Sequence, residues 1–260
     1  MTLKASRMKP VAIFLALLGL TACHPQPPPE KAGITVAAAA NLTDVFGRVG
    51  PRFESATGIH PTFSFASTAQ LARQIESDAP FDVIAAADSE HVAELDRKGY
   101  LAPESRAVYA RGVLALWVPV ASKAKIQRVE DLTRPEVQVI AIAKPDLAPY
   151  GQASVDALQK LGIWERVQSK VVYAENINMA RQYGQSHNAD AVFTAYSLVL
   201  HEAGQIIKVH ASLHKPIDQE LGIVAKSKQQ DAAKKFIDFL LNGEGKSMLA
   251  SYGYLAPPGH

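Results

Sequence analysis

Two stretches of this 260-residue chain set small residues and neutral hydrogen-bond donors where a strand gives way to a helix. In the first, Ile34-Thr35-Val36 reads as a buried strand, Ala37 to Ala40 follow, and Asn41 stands before the helical spacing Leu42, Val45, Phe46, Val49 and Phe53. Asn is a preferred N-cap, and behind a cap lie N–H groups without intrahelical acceptors and the positive end of the helix dipole. In the second, Thr62 to Phe65 reads as a strand, Ala66-Ser67-Thr68-Ala69 is small and hydroxylated, and Gln70 to Ile75 opens a helix. A strand, a run too small to block the backbone and a helix start with a side-chain donor together make a seat for an anion. Taken singly, each is an ordinary helix cap; two in one part of the chain point to one shared anion.

Other chemistries find less support. Asp82 and Asp88 could be an acid/base pair, but Asp88 is placed to cap the helix after it and Asp82 falls within a strand. His210 and His214 are four apart, yet Ser212-Leu213 and Pro216 interrupt any helix that would align them. Neither an HExxH motif nor a Cys/His cluster is present, so no metal-cation site and no cofactor are expected. No GxSxG elbow accompanies the serines, and the expectation is a protein that is not an enzyme. Arg73 and Arg106 default to surface or structural roles.

The N-terminus reads as a leader. Lys4, Arg7 and Lys9 precede the short apolar run Val11 to Leu20, which is too short to span a membrane permanently. Leu20-Thr21-Ala22-Cys23 matches the bacterial lipobox, and Cys23 is the single cysteine of the chain. That match implies cleavage after residue 22 and lipid on Cys23; the alternative is plain cleavage nearby and a free thiol. With one cysteine no internal disulfide forms, and the fold must stand on its core. Residues 24–31 are a Pro-rich spacer suited to a tether. The chain carries 27 basic and 25 acidic residues; three of the basic ones lie in the leader, leaving 24 against 25 in the rest. Such a balance gives no footprint for nucleic acid.

From Ile34 onward strands and helices alternate. Strands are expected at 62–65, 80–87, 112–118, 138–143, 171–173, 191–194, 208–210 and 219–225. Helices are expected at 68–76, 89–98, 152–161, 197–202, 229–241 and 246–252, with another ending at Tyr183 that Asn176 or Asn178 caps. Lys144 to Gly151 reads as a loop. This is the βαβ rhythm of a parallel or mixed sheet. An exported α/β chain of this size fits a two-lobed binding protein with a ligand cleft between lobes that close by hinge motion. The strands at Gly112–Val118 and Gln219–Ala225 are the expected crossovers. The divisions are residues 1–22 as signal, 23–32 as lipidated cysteine and tether, 33–115 plus 220–260 as lobe 1, and 116–219 as lobe 2.

Four ordered stretches carry a resemblance: ITVAAAANLTD, FSFASTAQLARQIESDAPFDVIAAADSEHVAEL, AKPDLAPYGQASVDALQKLGIWERV and AENINMAR. Together they resemble the periplasmic molybdate-binding proteins of bacterial ABC importers, along nearly the whole of the chain after the leader. The resemblance implies capture of a molybdate or tungstate dianion in the cleft by neutral hydrogen-bond donors, and delivery to a permease in the inner membrane. By position it implies that Asn41 is the first polar contact and Thr68 the second, with Ser67 beside it. Tyr150 lies in the loop that supplies a backbone N–H or a phenol, and Ile177 offers an N–H at a helix start. Members that take a phenol from a later strand have it where this chain has Thr194, so Tyr150 is inferred to replace it and Thr194 is an additional candidate. A buried dianion needs several donors, and Asn, Thr and Tyr supply them without forming an ion pair. A receptor for another oxyanion such as sulfate, and a sensor module or exported hydrolase on the same fold, remain the alternatives. The expected protein is a monomeric lipoprotein outside the cytoplasm, anchored to a membrane through Cys23.

Overall fold

The structure is a computed structural model that describes Thr2 and residues 33–257. The expected leader, the lipid site at Cys23 and the tether lie outside the described residues. In chain order the elements are β1 (Gly33–Ala39), α1 (Thr43–Thr57), β2 (His60–Ala66), α2 (Thr68–Glu76), β3 (Val83–Ala85), α3 (Glu90–Arg97), β4 (Ala107–Gly112) and β5 (Leu114–Pro119). Then come β6 (Ile140–Ala143), α4 (Pro149–Lys160), α5 (Trp164–Val167), β7 (Val171–Ala174), α6 (Ile177–Gln185), β8 (Ala191–Ala195), α7 (Tyr196–Val199) and β9 (Gly204–Lys208). β10 (Ile217–Ile223), α8 (Gln230–Leu241) and α9 (Glu244–Ser251) close the chain. No helix among the described residues is long and apolar enough to cross a membrane.

The strands form two five-stranded mixed sheets, ordered β2-β1-β3-β10-β4 and β7-β6-β8-β5-β9. In the first, β1 lies parallel to β2 and β3, and β10 runs antiparallel between β3 and β4. The second repeats the plan: β6 lies parallel to β7 and β8, and β5 runs antiparallel between β8 and β9. The chain leaves the first sheet at Gly112, enters the second at Leu114, and returns between Lys208 and Ile217. Only Val113 separates β4 from β5, so the two sheets are tied by very short chain at that point.

The sequence reading took Gly112–Val118 as one strand and had none at Ala107–Gly112. Arg106 and Arg111 hide that strand in the sequence, since both look like surface charge. In the fold Arg111 pairs with Asp218 at 2.5 Å and Arg106 with Glu220 at 2.8 Å, and Tyr109, Ala110 and Gly112 are buried. A second difference concerns Tyr150, which the sequence pattern places in a loop. α4 starts at Pro149, where a missing N–H costs nothing and φ suits the first turn, so Tyr150 sits on a helix.

The first sheet is covered by an aromatic layer. Phe46 and Phe53 of α1, spaced seven apart, meet Phe236 of α8 edge-to-face at 5.8 and 5.2 Å. Val45, Val49 and Phe53 complete the buried stripe of α1. The second sheet buries Leu114 and Leu116 against Ile140, Ile142 and Phe193. Phe236 is fully buried, so Phe236→Ala should cost about 3–5 kcal/mol. Urea denaturation checks this, and a loss below about 1 kcal/mol would mean that the aromatic layer is not what holds this helix to the sheet.

Candidate functional site

β1 ends in Ala37 to Ala39, all buried, and a single 3-10 turn over Ala40–Leu42 leads into α1. Asn41 therefore lies inside a turn and does not cap α1, contrary to the sequence reading. Its side chain is 1% exposed and turned to other partners. Asn41 Nδ2 donates to Gln219 Oε1 at 3.0 Å and to the Tyr254 hydroxyl at 2.9 Å. The Tyr254 hydroxyl in turn donates to the Asn41 carbonyl at 2.9 Å, and Ser197 Oγ lies 3.1 Å from that hydroxyl. Both amide hydrogens of Asn41 are thus committed, and the donor it has to spare is its backbone N–H, at the start of a turn where N–H groups lack partners within the helix. Asn41 Oδ1 is buried and has no partner among the described residues.

Ser67 and Thr68 open α2. Ser67 Oγ donates to Gln70 Oε1 at 2.7 Å, which spends its one hydrogen within the cap. Thr68 Oγ1 instead accepts from the Ala87 N–H at 3.1 Å, so its hydroxyl hydrogen has no assigned acceptor. Two bonds carry the start of α2 to the second half of the chain. The Ala69 N–H donates to the Leu147 carbonyl at 3.2 Å, just before α4, and Gln70 Nε2 reaches Glu175 Oε2 at 3.5 Å, just before α6.

Tyr150 is on the first turn of α4 and is 1% exposed. Its hydroxyl accepts from Gln219 Nε2 at 2.9 Å. Burial holds its pKa well above that of a free phenol, with Tyr254 adding to the effect, so it stays a neutral donor. Burial raises Tyr109 and Tyr254 likewise. Gln219 is fully buried, and its Oε1 lies 2.8 Å from the Tyr109 hydroxyl, which also faces the Ala86 carbonyl at 2.9 Å. Ile177 is the first residue of α6, whose cap is Asn176; its side chain accepts from the Met179 N–H at 3.0 Å. Met179 is thereby satisfied and the N–H groups of Ile177 and Asn178 are left without intrahelical acceptors. Ala39, Ala40 and Ala87 pack in one cluster with Ala143, Ala148, Tyr150 and Ile177. Thr194, on β8 opposite Ala115 of β5, is fully buried, and its Oγ1 has no partner among the described residues.

Asn41, Thr68, Tyr150 and Ile177 are therefore joined by the Gln219 bonds, the Ala69–Leu147 bond and that shared cluster. The starts of α2, α4 and α6 bring to it three dipole ends and the N–H groups of Thr68, Tyr150, Ile177 and Asn178, which have no acceptor within their helices. Arg181, 12% exposed at its side chain, holds Asp44 at 2.6 Å, although its Nε is buried with no partner among the described residues, and Lys144 is paired with Glu175. The arrangement can hold an anion by neutral donors. A cavity of about 440 Å³ adjoins it, beside Ala87, Leu147 and Ala148, but Asp88, Asp146 and Asp218 line it and give it the wrong sign for an anion.

The remaining candidates have structural roles. Asp82 accepts from the Thr35 N–H at 2.7 Å and from Ser227 Oγ at 2.6 Å. Asp88 accepts from the His91 N–H at 3.0 Å and its bond to the ring keeps the His91 pKa raised. His210 contacts Ser212 at the surface. Among the described residues no three His, Cys, Asp or Glu side chains are grouped to hold a metal ion. The sequence reading missed Tyr109, Ser197, Gln219 and Tyr254. One signal was present, the polar pair Gln219-Glu220 heading an apolar strand.

Comparison with known proteins follows the same line. The family model "Bacterial extracellular solute-binding protein" matches residues 34–255. The molybdate-binding protein ModA of Rhodobacter capsulatus is 34% identical over 229 residues, which cover 87% of this chain and 90% of that protein. ModA of Azotobacter vinelandii is 35% identical over 244 residues, 91% of this chain and 93% of the relative. The solved structure of an Azotobacter vinelandii periplasmic molybdate-binding protein superposes with a TM-score of 0.82 at 26% identity, covering 86% of this chain and 99% of that one.

Gly112 gives a test of the geometry. A Cβ there would stand 2.1 Å from the Tyr150 hydroxyl and 2.6 Å from Gln219 Nε2. Gly112→Ala should destabilise the protein by about 1–3 kcal/mol through overpacking. Denaturant unfolding reads this directly, and a neutral result would place Tyr150 elsewhere than over Gly112.

Proposed function

The chain belongs to the family of bacterial extracellular solute-binding proteins, and from that premise we propose that it binds molybdate outside the cytoplasm and delivers it to the permease of an ABC importer. Tungstate, with the same shape and charge, is the second ligand. The observation that carries this reading is the state of two buried hydroxyls. Thr68 and Tyr150 both accept a hydrogen bond from the protein, from the Ala87 N–H and Gln219 Nε2, and so each keeps its own hydrogen for a ligand. A tetrahedral dianion has acceptors only, so a group of spare hydrogens is its complement. The N–H groups of Asn41 and Ile177 join those two hydroxyls, and Thr194 Oγ1, buried and unpartnered, is a further donor. Ser67 acts through its place at the start of α2, since its hydroxyl hydrogen goes to Gln70.

Function then follows from reversible closure. Residues 33–115 with 220–260 serve as one lobe and 116–219 as the other. The anion binds the Asn41 and Thr68 side first, and the Tyr150 and Ile177 side closes over it. The Arg181–Asp44 pair and the Ala69–Leu147 bond hold the closed form that docks on the permease. The protein works by binding and carries out no reaction. It acts as a monomer, kept at the membrane surface by lipid on Cys23 and the Pro-rich tether; those parts of the reading rest on the sequence.

Calorimetric titration of the purified protein with molybdate, tungstate and sulfate tests the ligand. One molybdate per chain is expected, at about −8 kcal/mol or stronger. Sulfate, smaller and less well wrapped, should bind at least about tenfold more weakly, a difference of ~1.4 kcal/mol. Tighter binding of sulfate would keep the receptor and overturn its ligand. Tyr150→Phe should weaken molybdate binding by about 1.5–3 kcal/mol, the worth of a hydrogen bond to a charged group. Because the phenols ionise only well above their usual range, affinity should stay level between about pH 6 and pH 9. A steep fall within that window would mean that a titrating side chain holds the anion.

A further inference from the structure

The direction in which Tyr150 donates is not its own choice. A phenol has one hydrogen, and Tyr150 could as well give it to the protein as to a ligand. Four bonds decide which. The Tyr254 hydroxyl gives its hydrogen to the Asn41 carbonyl at 2.9 Å, so toward the Asn41 side chain it can only accept. Asn41 must therefore turn Nδ2 to Tyr254, at 2.9 Å, and the same nitrogen faces Gln219 at 3.0 Å. Gln219 must answer with Oε1, and its amide then presents Nε2 to Tyr150 at 2.9 Å. An amide nitrogen only donates, so the Tyr150 oxygen accepts and its hydrogen is left for the ligand.

Resting on the oxyanion reading above, we infer that Gln219 is the positioning residue of this site: its side-chain amide links the Asn41 and Tyr150 halves and holds the Tyr150 hydroxyl as an outward donor. Several features of the fold serve that placement. Gln219 is fully buried in β10, the strand that sits between β3 and β4. The β10–β4 register shifts between Gln219 and Glu220, where Tyr109 of β4 is the extra, unpaired residue and its hydroxyl comes to 2.8 Å from Gln219 Oε1. On either side, Asp218 is held by Arg111 and Glu220 by Arg106, which pins the strand while Gln219 faces the interior. Gly112 lacks the Cβ that would stand 2.6 Å from Gln219 Nε2, so the amide and the phenol can meet above it.

A double-mutant cycle on the full protein tests this, with molybdate titrated calorimetrically into wild type, Gln219→Met, Tyr150→Phe and the double variant. If Gln219 acts through the Tyr150 hydroxyl, Gln219→Met weakens binding by about 10-fold or more in the wild-type background and by less than about threefold where residue 150 is already Phe. Thermal unfolding of the ligand-free proteins is read alongside, and a packing role would lower it equally in both backgrounds. Gln219→Glu keeps the shape and the bond from Asn41, and puts in place of the donor to Tyr150 a carboxylate oxygen that takes the Tyr150 hydrogen for itself. It supplies the same cycle if the Met variant does not fold, because its charge acts in both backgrounds and cancels. Losses that multiply independently would overturn the positioning role while leaving molybdate binding intact. Wild type that takes no molybdate would overturn the functional reading, and this inference with it.

Discussion

An anion buried without a counter-ion has to be held by hydrogen atoms, and each of them must be one that the fold does not need elsewhere. That constraint orders the rest of this structure. Burying a charge away from water is expensive unless several donors meet it, and the cations near the cluster are paired: Arg181 with Asp44, and Lys144 with Glu175. The compensation must come from helix starts and hydroxyls. α2, α4 and α6 each bring a first turn with unpaired N–H groups, and Thr68 and Tyr150 have their oxygens occupied by protein donors. Acting as acceptors toward the protein leaves each of these hydroxyls its own hydrogen to donate.

The architecture supplies what this chemistry requires. Two sheets of the same plan place their strand-to-helix junctions together, and only Val113 stands between β4 and β5. Small residues, Ala37 to Ala40 on one side and Gly112 on the other, clear the space that the buried donors occupy. The core of the second sheet reaches the junctions themselves and takes in Ala39, Ala40, Ala87, Tyr150 and Ile177. The phenylalanine layer over the first sheet and the aliphatic core of the second carry the burial, so the donor cluster can contain unpartnered atoms such as Thr194 Oγ1 at a cost of about 1–3 kcal/mol each.

Much of the fold was legible because the βαβ alternation is written in local pattern. Strands and helices follow from runs such as Gln138 to Ala143 and from the stripe Val45, Phe46, Val49, Phe53. β4 was not legible, since Arg106 and Arg111 read as surface charge until Glu220 and Asp218 answer them across the sheet. At the site, Asn41, Thr68, Tyr150 and Ile177 could be proposed from sequence, but the state of their hydrogens could not. Asn41 looked like a helix cap; its partners are Tyr254, 213 residues away, and Gln219, 178 away. Ser67 looked equivalent to Thr68, yet one spends its hydrogen on Gln70 and the other does not. Whether a donor is free is a property of the whole hydrogen-bond network, and no local pattern carries it.

Crystals grown with tungstate would locate the anion through the anomalous scattering of tungsten. The account predicts a single strong peak per chain, with anion oxygens about 2.7–3.2 Å from Thr68 Oγ1 and the Tyr150 hydroxyl, beside the first turns of α4 and α6. A peak in the adjoining cavity among Asp88, Asp146 and Asp218, or only on surface lysines, would contradict a site built from spare hydrogens.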